Sequence, residues 1–228
     1  MNNLHENITT EPFVAVVGGS TGACGRWIVR DLVNDPNCIR VIALTRAEIS
    51  DPASIFPSID KEKISSKLSL HKLDWAKSDE AGEFVPPLRD TPTIGFCAMG
   101  SAPYTEESDF TMPVAFATSA KKVGVKSMFL VSAAGVKAGS WFGYIDPLGR
   151  REDAFKSVGF SRLGIYRPGF IDRQEKIRPK EYFKFIMPSA FVIDSRDISK
   201  AMIQSALRMK EGTFSFTHAE MKEIARKT

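Results

Sequence analysis

Gly19, Gly22 and Gly25 recur at a spacing of three between the apolar run Phe13–Val17 and the helix-forming stretch Arg26–Val33. A strand, a glycine turn and a helix in that order build a floor for the diphosphate bridge of a dinucleotide. Glycine is needed where the chain turns tightly, where phosphate approaches the main chain, and where helix packs closely on strand. The helix start then offers unpaired amides and a partial positive charge to an anion. A βα turn carrying glycines only for packing is the plain alternative. The strand and helix signals on either side favour the nucleotide. The turn residues Gly19, Ser20, Thr21, Gly22, Ala23 and Cys24 are therefore candidate cofactor ligands.

About 20 residues beyond such a turn, the end of the second strand meets the adenosine ribose. Here that position is Thr45-Arg46, with no carboxylate at the strand end. An acid would select a free 2′-hydroxyl, whereas a base accommodates a 2′-phosphate, so Arg46 predicts NADP(H) rather than NAD(H). A solvated surface arginine would leave the preference undecided. Asp74-Trp75 ends the third strand, where the pair reads either as an adenine contact or as a helix N-cap followed by a packing ring. Ala98-Met99-Gly100 closes the fourth strand over the same crevice. Cys97 reads as core rather than nucleophile, with no histidine near it in sequence.

These residues need elements to position them. Strands are predicted at Phe13–Gly18, Ile39–Thr45, Leu68–Leu73, Thr93–Ala98, Ser127–Ser132 and Leu163–Tyr166. Several lack polar alternation, as strands covered on both faces do. Helices are predicted at Gly22–Asn34, Ser78–Phe84, Asp109–Val123, Leu148–Val158, Ile198–Lys210 and Ala219–Arg226. The alternation predicts a single α/β domain over residues 1–228, a Rossmann-type doubly wound parallel sheet in three α/β/α layers. Residues 47–67 read as a loop. The aromatic stretch at about 169–193 reads either as a cover for a substrate or partner or as a flap closing the core.

Bulk properties narrow the function. A chain of 228 residues is long enough for a core without staples. A net charge of +4, with basic residues in no continuous stripe, argues against nucleic acid. Cys24, Cys38 and Cys97 stand far apart, and His5, His71 and His218 are scattered, so no metal site assembles. Residues 1–12 lack a secretory pattern and no stretch approaches a membrane span, which predicts a cytoplasmic protein.

Gly19–Gly25, Gly95–Gly100, Arg167-Pro168-Gly169 and Asp172-Arg173-Gln174-Glu175 together resemble the atypical short-chain dehydrogenase/reductases, in particular the Tat-interacting oxidoreductase group. The similarity runs from about residue 11 to 226. It implies a Rossmann fold holding NADPH, a reductase activity on a small carbonyl or quinone, and, as in animal members, regulatory roles through protein partners. It also implies Tyr144 and Ser132 as catalytic residues and Pro168 beside the nicotinamide amide.

One departure from the family pattern matters. The lysine expected one helical turn after the tyrosine, where its charge would lower the phenol's pKa, is Leu148. Asp146-Pro147 reads as an N-cap and first helical residue, leaving Tyr144 ahead of the helix. Arg150 and Arg151 are nearby cations, but an arginine cannot share a proton. Ala133-Ala134 removes a hydroxyl that many relatives carry beside the serine. Tyr144 is then either a catalyst or an aromatic wall, and the protein either an NADPH-dependent reductase or a catalytically weak NADPH-binding regulatory protein.

Overall fold

A computed structural model describes residues 11–56, 58–73, 91–101, 103–136, 139, 145–174 and 191–227. Its centre is a seven-stranded, all-parallel sheet. The strands are β1 (Phe13–Gly18), β2 (Cys38–Thr45), β3 (Leu68–Lys72), β4 (Thr93–Cys97), β5 (Ser127–Val131), β6 (Arg162–Arg167) and β9 (Gly212–Thr217). Their spatial order is β3-β2-β1-β4-β5-β6-β9. A separate parallel pair joins β7 (Phe170–Asp172) to β8 (Val192–Asp194).

The apolar runs form strands because both faces are buried. Along β1, Ala15 and Val17 belong to the core beneath α1 (Gly25–Asn34), α6 (Ser195–Arg208) and α7 (His218–Arg226). Val14 and Val16, one residue out of phase, belong to the core beneath α4 (Met112–Lys122) and α5 (Ile145–Val158). This period of two across a sheet clad by helices is the predicted three-layer doubly wound fold. An aromatic ladder ties the later strands. Phe96 stacks on Phe129 at 5.6 Å, and Tyr166 on Phe216 at 4.7 Å, each across a strand pair.

The structure corrects several boundaries. Residues 47–67, expected as a loop, contain α2 (Pro52–Ile55), N-capped by Asp51, and α3 (Lys61–Lys67). A π-helical turn at Glu107–Thr111 precedes α4. Helix α5 begins at Ile145, so Asp146 lies inside it rather than capping it. Its carboxylate instead accepts from the Gly139 amide at 2.7 Å and pairs with Arg150 one turn on. The edge strand β9 and the β7–β8 pair were not expected. The helix expected at 78–84 lies outside the described residues.

Candidate functional site

The strand order reverses between β1 and β4, and the crevice at their C-terminal ends is where an open parallel sheet takes a ligand. Gly19 sits there at φ +74°, a conformation an L side chain resists. A methyl on Gly19 would also lie 2.6 Å from the Ala98 carbonyl. The Gly22 amide donates to the Gly19 carbonyl at 3.0 Å, closing the turn. Gly25 then starts α1 so close beneath it that a methyl would stand 2.0 Å from the Gly19 carbonyl oxygen. The tight turn and the close helix approach are thus both built.

Helix α1 has no side-chain N-cap and no acid in its first turn. The amides of Arg26 and Trp27 donate to the carbonyls of Gly22 and Cys24, at 3.2 and 3.1 Å, and the positive end of the helix dipole lies at the turn with no acidic side chain in the first turn to offset it. The crevice is about 350 Å³ and brings together Thr21, Gly22, Ala23 and Cys24 with Arg46, Ala98–Ser101, Ser132, Leu148 and Arg173. A contiguous hollow adds Gly19, Thr45 and Met112. The predicted turn residues, Arg46, the end of β4 and Ser132 thus converge on one site. Ser20 departs from this pattern, since its buried hydroxyl donates to the Leu44 carbonyl at 2.8 Å and braces β2. Pro168 is buried outside the crevice lining, its carbonyl accepting from the Ala134 amide at 2.7 Å. Asp74, Trp75 and Tyr144 lie outside the described residues.

Two charged residues that sequence reasoning did not place as buried hold the crevice wall. Arg151 is 2 % exposed and donates to the carbonyls of Met99, Asp109 and Val131 at 3.0–3.2 Å. It therefore locks the ends of β4 and β5 to the π-helical turn and does not replace the missing lysine. Arg150 is surface-exposed, paired with Glu106 and Asp146. Glu152, also 2 % exposed, accepts from the Ser132 hydroxyl at 2.6 Å and from Arg167 side-on, through Nε at 3.0 Å and Nη2 at 2.5 Å. Leu148, in the lysine's position, is buried against the same crevice.

Asp109 holds the remaining wall. Its carboxylate accepts from the Ser101 amide and hydroxyl and from the Thr105 amide. An Asp109→Ala variant is expected to leave those donors short of partners and to lose about 1–3 kcal/mol of stability, read by urea denaturation. The cysteines are structural. Burial pushes the thiols of Cys24 and Cys38 up to about 12 and that of Cys97 up to about 11, so none is a thiolate at neutral pH.

Sheet order, glycine turn and crevice together define a Rossmann-type α/β fold with a ligand crevice at the carboxyl ends of its strands. No family model matches the chain. Among curated proteins, it is 31% identical over 172 residues to Protein fmp52, mitochondrial, of Aspergillus niger, covering 72% of this chain and 69% of that one. The Aspergillus clavatus protein of the same name is 28% identical over 218 residues, covering 87% and 88%. Protein HTATIP2 of Rattus norvegicus is 24% identical over 187 residues, covering 78% and 72%. The chain belongs to the Fmp52 family, and these relatives support its reading as an atypical short-chain dehydrogenase/reductase.

Among solved structures, the Bordetella bronchiseptica enzyme WbmG in complex with NAD superposes with a TM-score of 0.65 at 12% identity, covering 91% of this chain and 72% of that one. At that identity the likeness is one of fold. The expectation of a cytoplasmic protein is corrected by the fmp52 relatives, which are named mitochondrial. Lack of a secretory pattern separates neither cytosol from mitochondrion nor one organelle from another. Among the described residues no helix is long and apolar enough to cross a membrane.

Proposed function

We propose that the chain is a mitochondrial NADP(H)-binding oxidoreductase acting on a small carbonyl, quinone or the corresponding alcohol. The observation that carries the proposal is the left-handed glycine turn leading into α1, whose start bears no side-chain cap and no acid, on a crevice flanked by Arg46. Backbone amides of residues 19–24 would hold the diphosphate, Arg46 a 2′-phosphate, and Ala98–Gly100 the sugar edge. The dinucleotide would supply a hydride donor or acceptor.

The chain's own groups orient the substrate. Because the Ser132 hydroxyl donates to Glu152, its oxygen offers lone pairs to the crevice. Ser132 is thus arranged to accept a hydrogen bond from a hydroxyl rather than to donate one to a carbonyl. Tyr144 is the proposed proton donor, without the lysine that would lower its pKa. The second reading is an NADPH-binding regulatory protein with weak turnover, and buried Leu148 in the lysine's position favours it.

Native mass spectrometry and fluorescence titration are expected to show bound NADPH, and an aldehyde and quinone panel to show its oxidation. Tight binding with no oxidation would select the regulatory reading, and no binding would defeat both. Turnover undiminished in Tyr144→Phe would remove the tyrosine. Arg46→Ala is expected to weaken NADPH by about 10-fold or more while leaving NADH within about 2-fold, since one charge-assisted contact is lost. Equal losses would overturn the 2′-phosphate assignment.

A further inference from the structure

The crevice has a second basic wall that the glycine turn does not explain. Arg173 follows β7 and lines the crevice with Ala23 and Cys24, reached from the β6 side of β1, whereas Arg46 is reached from the β2 side. We infer that Arg173 is a diphosphate-binding residue, closing on the dinucleotide's bridge from the β7–β8 pair while the turn's amides hold its other side. This rests on the dinucleotide reading above and adds to it a ligand group supplied from outside the β1–α1 unit.

The placement of Arg173 is built by its neighbours. The Arg173 carbonyl accepts from Arg26 Nη2 of α1 at 3.1 Å, tying the segment to the helix that begins at the turn. Before it, the Asp172 carboxylate accepts from the Gln174 amide at 3.1 Å, forming a tight side-chain turn. After it, Gln174 adopts φ +56°, unusual for a residue with a side chain. Its amide nitrogen donates to Asp194 Oδ2 at 2.8 Å, and Asp194 in turn caps α6. A backbone strained in this way persists only where surrounding contacts over-determine it. Here the result is a guanidinium carried to the mouth of the glycine turn. Its charge reaches the Cys24 thiol, where it opposes part of the upward push of burial. A planar fork of donors suits two adjacent phosphates better than a point charge does.

Arg46 and Arg173 thus divide the ligand, the first reading its adenosine end and the second its bridge. The test uses the full chain with three probes, NADPH, NADH and adenosine 2′-monophosphate, the last having no diphosphate. Arg173→Ala and Arg173→Gln are expected to weaken both dinucleotides about 10-fold or more, and by the same factor, while leaving the monophosphate within about 2-fold. Arg46→Ala is expected to give the reverse pattern, with the monophosphate and NADPH weakened and NADH spared. Far-ultraviolet circular dichroism checks that each variant is folded, and Gln, which keeps much of the aliphatic stem and a polar, uncharged end, guards against a packing loss in Ala.

Unchanged dinucleotide affinity in both Arg173 variants would overturn the assignment while leaving the cofactor reading intact. An equal loss on all three probes would also overturn it, by showing general disruption. A wild-type protein that binds neither dinucleotide would overturn the assignment and the reading beneath it together.

Discussion

Gly25→Ala is expected to lower the unfolding free energy by about 3 kcal/mol or more and to abolish measurable dinucleotide binding. The added methyl would stand 2.0 Å from the Gly19 carbonyl oxygen, 2.8 Å from its carbon and 2.9 Å from the Ser20 Cα. All three are backbone atoms, so no side-chain rotation can clear the space. Either α1 shifts away from β1 or the turn opens, and each choice separates the amides from one another. Val17, Ile28 and Val29, packed in the core beneath α1, resist the first movement. The left-handed Gly19, held by the Gly22 amide, resists the second.

Gly22→Ala is the informative contrast. Its methyl would meet the Gly19 oxygen at 3.2 Å, which small adjustment relieves, but Gly22 lines the crevice, so the methyl takes space beside the ligand. The expected result is a stability loss of about 1 kcal/mol with binding still impaired. Urea denaturation and NADPH titration on the two variants separate packing from access. A Gly25→Ala protein with an unchanged urea midpoint would show that the helix does not bear on the turn.

What the sequence discloses follows from how local each determinant is. Strands β1, β2, β4 and β5 are legible because burial on both faces demands unbroken apolar runs, as in Val14–Val17. The glycine turn is legible because its conformational demands fall on the residues that meet them. Strand β9, with the sequence Gly-Thr-Phe-Ser-Phe-Thr, lies on the sheet edge, where only Phe216 is buried, so it lacks a continuous apolar signal. Helices α2 and α3 bury no residue, and the prolines near them read as loop.

Arg151 and Glu152 illustrate the harder limit. Adjacent charges in a polar stretch look like a solvated face. Their burial is decided by carbonyls at Met99 and Val131 and by Arg167, which are brought near only by the sheet order. The register of β5 beside β6, pairing Val131 with Tyr166, sets Ser132 and Arg167 on either side of the same carboxylate. No local periodicity contains that information.

That carboxylate carries the second large expected effect. Glu152→Ala would take away the acceptor shared by Arg167 and the Ser132 hydroxyl, with an expected loss of about 3 kcal/mol. The lower end of the usual range for a broken buried pair applies because Arg167 is 33 % exposed and water can partly solvate it. Glu152→Gln keeps the volume and an acceptor for Ser132 but removes the charge, so a loss of about 1–2 kcal/mol is expected. If the pair acts chiefly as an ionic unit, Glu152→Leu combined with Arg167→Met should regain most of the stability lost by Glu152→Leu alone.

Function should separate from stability across the same series. Once the acceptor is gone, the Ser132 proton is free to turn toward the crevice, converting an acceptor into a donor. Relative to the wild type, Glu152→Leu/Arg167→Met is therefore expected to bind a carbonyl ligand more tightly relative to the corresponding alcohol while binding NADPH as before. A stable double variant with an unaltered ratio of the two affinities would mean that Glu152 braces the sheet and leaves the hydrogen bonding of Ser132 alone.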